Sequence, residues 1–275
     1  MLRPAGRRVH SAAVTAAYFR MTDAGFVPGP DAAGPWSPDM LHGRLLGGLA
    51  ARALEAELGG PGWRAARLTV DLFRPAAMAP VQLQTRVVRQ GRRIRVADAL
   101  MTCDGHEVAR AAVVLLATSS EPPGLIWRPE PRPWPDPLTV PRDPTAPDPE
   151  PAWMIRTVGA GFESAGQGRV WTNDRAELVA GEAMSPFVRA AVTGDLACPL
   201  ANGSDEGLHY INGDYTLVLA RYPAGPWIGV EVNQQLAADG ISLGSSTLVD
   251  RDGPFGTSTG TSLARPPLVR DEPGA

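Results

Sequence analysis

Two Gly-x-Ser-x-Gly segments in the second half of the chain match the pattern that presents the nucleophilic serine of many hydrolases. They centre on Ser242 and Ser258. That pattern requires a strand before the serine, a helix after it and a histidine later in the chain. The last histidine of this sequence, His209, precedes both serines. We therefore expect neither serine to act as a nucleophile.

Histidines offer a second possible chemistry, but their spacing matches no known arrangement of metal ligands, so we predict no metal site. They stand at positions 10, 42, 106 and 209. His42 and Gly43 open a predicted helix, where free N–H groups and the positive end of the helix dipole could face a carbonyl or a phosphate. The competing interpretation is that His42 stands at the start of the helix and takes no part in binding or catalysis.

Two polar residues of the second half are stronger candidates. Asp195 lies late in a predicted helix, where a carboxylate is electrostatically unfavourable and therefore needs another reason to be there. Asn212 precedes Gly213 and Asp214, a sequence that equally suits a tight turn. We interpret Asp195 and Asn212 as candidate site residues and Asp214 as a turn residue.

The elements that must position these residues follow from periodicity. Residues 41–58 have the apolar spacing of one helical face, and the glycines at 47 and 48 indicate close packing against a sheet. Residues 12–19 are predicted to form a strand before this helix. Four further strands are predicted after it, at 66–73, 81–89, 94–103 and 108–117, with Asp104-Gly105 as a hairpin signal.

The second half repeats this order, which is the main argument for the fold. A strand at 170–177 and a helix at 185–200 are followed by four strands, at 209–221, 227–236, 241–250 and 254–264. Because two such units can cover each other's sheet edges, we expect one shared antiparallel sheet. The predicted class is α+β, with residues 1–120 and 152–268 as the two repeats and 269–275 as a tail.

Residues 121–151 are a proline-rich linker between the repeats, since neither helix nor central strand persists through such a run. Its apolar residues favour packing along neighbouring surfaces over a disordered spacer; they are Leu125, Ile126, Trp127 and Trp134.

Composition excludes several classes of function. The net charge of −3 gives no electrostatic reason to expect nucleic acid or an acidic membrane as partner. The two cysteines, Cys103 and Cys198, make no disulfide framework. With no run of about 20 apolar residues, we expect a cytoplasmic protein with a small partner and no membrane association.

Five segments together resemble the acyl-CoA thioesterase II group, which consists of double hot-dog proteins. They are HGRLLGGLAARAL (42–54), LTVDLFRPAAMAPVQLQTRVVRQGRRI (68–94), SPFVRAAVTGDLA (185–197), INGDYTLVLAR (211–221) and DGPFGTSTGTSLAR (252–265). The resemblance implies two hot-dog repeats, each with a sheet wrapped around a central helix. It also implies an acyl-CoA or other acyl-thioester substrate, no cofactor and a homo-oligomer.

The resemblance further implies that an Asp, a neutral hydroxyl or amide and a Gln hold one hydrolytic water. The carboxylate accepts the proton of the water and the neutral groups orient it. By position the Asp falls on Asp195, the neutral group on Asn212 and the Gln on Gly260, or on Thr261 if the register slips by one. His42, Gly43 and Gly260 are the implied substrate-binding positions.

Gly260 has no side chain, which leaves two hypotheses. One is a thioesterase-like hydrolase that keeps Asp195 and Asn212. The other is a hot-dog protein used for binding, or for non-hydrolytic chemistry such as cyclisation or elimination, where a dry site is an advantage. Both predict an apolar ligand tunnel between the two helices. Gly213-Asp214 also resembles the hot-dog hydratases, which pair a Gly-Asp with a histidine five residues later. Leu219 stands at that position, so we expect no hydratase chemistry of that type.

Overall fold

The computed structural model describes residues 16–130, 132–144 and 151–265. The first half contains eight strands and one long helix. Its elements are β1 (Ala17–Thr22), β2 (Gly25–Pro28), a 3₁₀ turn (Pro30–Ala32), β3 (Ala33–Gly34), β4 (Ser37–Leu41), α1 (Gly43–Leu58), β5 (Trp63–Leu72), β6 (Val81–Gln90), β7 (Ile94–Cys103) and β8 (His106–Ala117).

The second half has the same plan with more breaks. Its elements are β9 (Trp153–Thr157), β10 (Arg169–Asp174), β11 (Glu177–Val179), α2 (Pro186–Gly194), α3 (Ala197–Ala201), β12 (Gly203–Ser204), β13 (Gly207–Leu208), β14 (Tyr210–Asn212), β15 (Asp214–Leu219), β16 (Ile228–Ala238), β17 (Ile241–Asp250) and β18 (Gly253–Ala264). Four strands follow the helix in each half, as predicted, but the expected meander is wrong: β5 pairs with β8 and β15 pairs with β18, so the first of the four strands lies beside the last.

The two halves share one 14-stranded sheet, in which the order is β11-β1-β2-β6-β7-β8-β5-β15-β18-β17-β16-β10-β9, with β14 also paired to β18. Strands β5 and β15 join the halves in antiparallel register, with Thr69 opposite Thr216. Their hydroxyl oxygens are 3.0 Å apart. These threonines occupy equivalent positions in the two repeats, so the junction between the two halves has local two-fold symmetry. The predicted joint sheet and the α+β class are confirmed, although β1 pairs with β11 in parallel.

A buried polar cluster lies where the chain crosses from one outer edge of the 14-stranded sheet to the other. Strand β10 ends at Asp174 beside one end, and β11 begins three residues later at the other. Tyr18 of β1 donates a hydrogen bond to Asp174 Oδ1 (2.6 Å), and Arg44 of α1 donates to the same oxygen (2.8 Å). Arg44 and Asp174 side chains are both 2% exposed. We call Tyr18, Arg44 and Asp174 the seam cluster.

Helices α1 and α2 are in direct contact. A Cβ atom at Gly48 would lie 2.6 Å from Val192 Cγ2, and one at Gly47 would overlap the Tyr215 hydroxyl. The predicted close packing against the sheet is confirmed for Gly47, which faces Tyr215 of β15, whereas Gly48 packs against Val192 of α2. The ligand tunnel predicted between the helices is wrong, since their side chains occupy that space.

Several element boundaries differ from prediction for local reasons. The first described strand begins at Ala17, and residues 12–15 of the predicted strand lie outside the described ranges. The predicted strand 170–177 divides into β10 and β11, which pair with different neighbours. The predicted strand 209–221 is interrupted at Gly213, whose N–H donates to Thr261 O (2.9 Å) and whose carbonyl accepts from Leu72 N–H (2.7 Å).

Part of the linker packs against the second half. The indole rings of Trp134 and Trp171 meet edge-on with centroids 4.8 Å apart, and Trp171 Nε1 donates to the Pro135 carbonyl (3.0 Å). The predicted packing of the linker is thus confirmed for Trp134. It is wrong for the earlier apolar residues, which are largely exposed: Leu125, Ile126 and Trp127. None of the helices in the described ranges is long and apolar enough to cross a bilayer.

Candidate functional site

Asp195 stands at a break between two helices that the sequence had predicted as one. Helix α2 ends at Gly194 and α3 begins at Ala197. Pro199 explains the break, because a proline lacks the N–H that would bond the carbonyl four residues earlier, here that of Asp195, and its ring clashes with that carbonyl. Asp195 is only 2% exposed. The break therefore fixes a buried carboxylate at the end of a helix.

Asn212, the last residue of β14, is brought to this carboxylate by the sheet. Its Nδ2 donates a hydrogen bond to Asp195 Oδ1 at 2.6 Å. Within the described part of the chain, Oδ1 is the only carboxylate oxygen of Asp195 with a hydrogen bond. The second oxygen, Oδ2, thus keeps its capacity to accept a proton.

Burial raises the pKa of Asp195 to about 6, against an ordinary value of 3.8. The hydrogen bond from Asn212 and the positive charge of Arg44 both act in the opposite direction, because they favour the ionised form. A carboxyl with such a pKa is ionised at neutral pH and still basic enough to take a proton from water. The environment therefore suits a general base.

A cavity of about 440 Å³ lies next to this pair: Asn212 lines it, whereas Asp195 is not among its lining residues. Gly43 and Asn212 form part of its wall, and a Cβ atom at Gly43 would lie 4.0 Å from Asp195 Oδ1 and 3.1 Å from Leu72 Cδ1. Gly43 therefore keeps the space between cavity and carboxylate open. The remaining lining residues are mostly apolar: Trp36, Ser37, Met40, Leu41, Leu46, Leu72, Phe73, Arg74, Pro75, Ala76, Ile211, Gly213, Leu263 and Arg265.

Two larger clefts, of about 690 and 660 Å³, lie under the linker around Trp134. They share no lining residue with the cavity beside Asp195, and neither contains Asn212 or Gly43. We assign the candidate site to the smaller cavity, because it adjoins the buried carboxylate.

Gly43 is also the first residue of α1. N–H groups in the first turn of a helix have no intrahelical acceptor, and the helix dipole makes this end positive. A carbonyl oxygen at this part of the wall would thus meet polarising donors close to Asp195. This arrangement can activate water against a polarised carbonyl group.

Family models cover most of the chain. The acyl-CoA thioesterase N-terminal domain matches residues 32–116, and the acyl-CoA thioesterase C-terminal domain matches residues 120–264. The chain belongs to the acyl-CoA thioesterase family. No curated protein sequence matches it.

Solved structures resemble this thioesterase-family chain at low identity. The tesB protein of Mycobacterium avium subsp. paratuberculosis aligns with a TM-score of 0.65 and 15% identity over 88% of this chain and 93% of its own. Acyl-CoA thioesterase II TesB2 of Mycobacterium marinum gives 0.61 and 18% over 82% and 91%. A protein of Alicyclobacillus acidocaldarius described as having a hot dog fold gives 0.66 and 18% over 88% and 92%. These likenesses support the hot-dog fold.

His42, an expected substrate-binding residue in this thioesterase-family chain, is half-buried beside the site. Its ring meets the Trp153 ring edge-on at 5.5 Å. Burial and the neighbouring Arg44 hold the pKa of His42 well below its usual range, so the ring is neutral at pH 7. It does not line the cavity, whereas its neighbour Gly43 does.

The structure does not bring the two alternative positions for the family Gln to the cavity. Thr261 is exposed, and its hydroxyl donates to a carboxylate oxygen of Asp214. Gly260 is buried, but a Cβ atom there would overlap the carbonyl oxygen of Asp214. A glutamine at 260 would therefore displace backbone. Asp214, expected in a turn, instead opens β15 opposite Asp71.

Sequence reasoning missed a set of buried polar groups that hold the helix break in place. Ser258 donates to the Gly194 carbonyl (2.7 Å), and Tyr215 donates to the Ala191 carbonyl (2.8 Å). Ser262 donates to Cys198 Sγ (3.1 Å), which in turn donates to the Gly260 carbonyl (3.0 Å). Burial raises the pKa of Cys198, so it is a poor thiolate nucleophile. Among the described residues no three His, Cys, Asp or Glu side chains are grouped as metal ligands.

Proposed function

We propose that this chain hydrolyses acyl thioesters with a water activated by Asp195. The observation that carries the proposal is the buried carboxylate bonded to Asn212 beside an apolar cavity whose wall is open at Gly43. Membership of the acyl-CoA thioesterase family supports the same reaction class.

In the proposed reaction the acyl chain lies against the apolar wall, and its carbonyl oxygen faces the first turn of α1. Asp195 Oδ2 takes a proton from water as the water oxygen attacks the carbonyl carbon. The carbon–sulfur bond then breaks, and the departing thiolate receives the proton from Asp195. A carboxylic acid and a free thiol leave, and the enzyme returns to its starting state.

Asn212 has a positioning role in this scheme. Its amide fixes Asp195 Oδ1 and favours the ionised form, so that Oδ2 is directed to the water. Since a side chain at 260 has no room, two groups rather than three hold the water. Loss of one such contact typically costs on the order of a hundredfold in rate, so we expect slow but measurable hydrolysis.

The test is release of free thiol from a panel of acyl-CoA substrates by the purified chain. We expect Asp195→Asn to lower kcat by about a hundredfold or more, because the general base is lost while the shape is kept. Asp205→Asn is the matched control, since Asp205 is an exposed residue of the β12–β13 turn; its kcat should equal that of the parent.

Full activity in Asp195→Asn would contradict the proposed base. Binding of acyl-CoA without any thiol release would instead favour the alternative hypothesis, a hot-dog protein with non-hydrolytic chemistry. Absence of both binding and turnover would reject both hypotheses.

A further inference from the structure

The mouth of the candidate-site cavity carries two arginines, Arg74 and Arg265. The Arg265 guanidinium carbon lies 4.9 Å from the centroid of the Trp36 ring, and its backbone N–H donates to the His209 carbonyl (2.8 Å). Across the described ranges, neither guanidinium is paired with a carboxylate. Two positive charges thus face the entrance with their hydrogen-bonding capacity unused by acidic side chains.

Polarity changes with depth along this cavity. Leu41 and Leu46 are each 2% exposed, whereas the rim residues Phe73 and Leu263 are 47% and 54% exposed. Arg74 is exposed next to Phe73. A ligand that matches this gradient has an apolar end inside and an anionic group at the entrance.

The distance from the reaction centre to these cations can be estimated along the strands. Arg265 lies three residues beyond Ser262, the register partner of Asn212, which places its Cα roughly 10 Å farther along the strand direction. Arg74 lies two residues beyond Leu72, whose N–H bonds Gly213, or roughly 7 Å. Both side chains can extend outward from these positions.

A phosphopantetheine arm has the chemistry and length that this arrangement fits. Its thiol, which carries the acyl group, is separated from its phosphate by two amide units, comparable to about four extended residues or roughly 14 Å. Arginine binds phosphate through paired N–H donors, and stacking on an aromatic ring holds the guanidinium plane in place.

The geometry points to Arg74 and Arg265 as the phosphate-binding residues for a phosphopantetheine arm that delivers the acyl thioester. This assignment rests on the proposed hydrolysis at Asp195. Trp36 is a positioning residue, since it holds the Arg265 guanidinium at the entrance. Coenzyme A and an acyl carrier protein both supply such a phosphate, and the experiment distinguishes these two sources.

The first measurement compares two thioesters of the same acyl chain, one on coenzyme A and one on N-acetylcysteamine, which lacks the phosphate. We expect Arg74→Gln and Arg265→Gln each to raise KM for acyl-CoA by about tenfold, the value of one charged hydrogen bond, with kcat unchanged. KM for the N-acetylcysteamine thioester should stay the same. Arg92→Gln, in the exposed β6–β7 turn, is the control and should change neither KM.

The second measurement does not depend on turnover. Calorimetric titration with a non-hydrolysable acyl-CoA thioether should show weaker binding to Arg74→Gln and to Arg265→Gln, and to a greater extent at low ionic strength. A phosphopantetheinylated acyl carrier protein is titrated in parallel. Of the two ligands, the one that binds the arginine variants more weakly than the parent is the one that these arginines recognise. The assignment would be overturned if both variants kept their affinity for the thioether, or if KM rose equally for the thioester without phosphate. If the parent bound the thioether in an arginine-dependent way but hydrolysed no thioester, only the proposed function would be overturned.

Discussion

At the scale of single residues, Asp195 combines two properties that usually oppose each other. It is almost completely buried, which favours the neutral acid, yet the proposed role requires the carboxylate. Asn212 and Arg44 reduce this conflict by favouring ionisation. The balance of these effects should be visible in how both activity and stability depend on pH.

The pH profile of kcat/KM should rise through a midpoint near the Asp195 pKa, about 6, because only the ionised form can accept a proton. In Asn212→Ala the hydrogen bond that lowers this pKa is lost, so the midpoint should move to higher pH. Initial rates measured from about pH 4.5 to about pH 8.5 test this. A rising limb that stays in place, or moves to lower pH in Asn212→Ala, would exclude Asp195 as the titrating base.

Stability should show the cost of ionising the same group. The pKa of Asp195 is raised from 3.8 to about 6 on folding, so the folded chain holds its proton longer, and stability is lost as pH rises across that interval. Asp195→Asn should therefore be more stable than the parent above about pH 6, by up to about 3 kcal/mol, and little different below about pH 4. Thermal unfolding at the two pH values measures the difference. A stabilisation that is the same at both values would point to a cause other than ionisation.

Family resemblance predicted that Asp195 and Asn212 hold one water; the structure brings the two side chains into contact at 2.6 Å, and their role in holding water stays a prediction. The sequence did not predict the outward direction of Thr261. Strand alternation would have helped, because Ser258, Gly260 and Ser262 share the inner face of β18 and Thr261 lies on the other. The cationic entrance had no local signal, since Trp36, Arg74 and Arg265 come from three separate segments.

At the scale of elements, the contact between α1 and α2 depends on the absence of a side chain at Gly48. Periodicity predicted both helices, but a helical pattern does not reveal which neighbour a glycine faces. The break at Asp195 was also not predicted, although Pro199 was visible, because the apolar spacing continues through it.

Gly48→Ala should destabilise the protein even though alanine normally favours a helix over glycine by about 1 kcal/mol. The added Cβ would lie 2.6 Å from Val192 Cγ2, and overpacking of this kind costs about 1–3 kcal/mol. Val192→Ala removes the obstructing atom, so the double variant should be less destabilised than the sum of the two single variants. Urea unfolding of all four proteins measures the coupling; strictly additive effects would show that the two side chains do not compete for space.

At the scale of the whole molecule, the seam cluster connects elements that are far apart in sequence. Asp174→Asn should cost about 3 kcal/mol or more, because it leaves Arg44 buried without its counter-charge. Asp98→Asn breaks an ion pair to Arg86, which is 77% exposed, and should cost less than about 1 kcal/mol. The urea midpoints of the two variants give the comparison. Similar small losses in both would mean that the seam pair contributes no more than a surface pair.

The junction of β5 with β15 has a consequence for how the protein is made. Strand β15 begins about 140 residues after β5 ends, so at a synthesis rate of about 5–20 residues per second the ribosome completes it roughly 7–30 s later. Strand β8, which covers the other edge of β5, ends at Ala117, and from that point until β15 is made the nascent first half presents the unpaired edge of β5, a surface prone to pairing with other chains. The period of greatest aggregation risk therefore falls during translation, at an edge that the finished protein keeps covered.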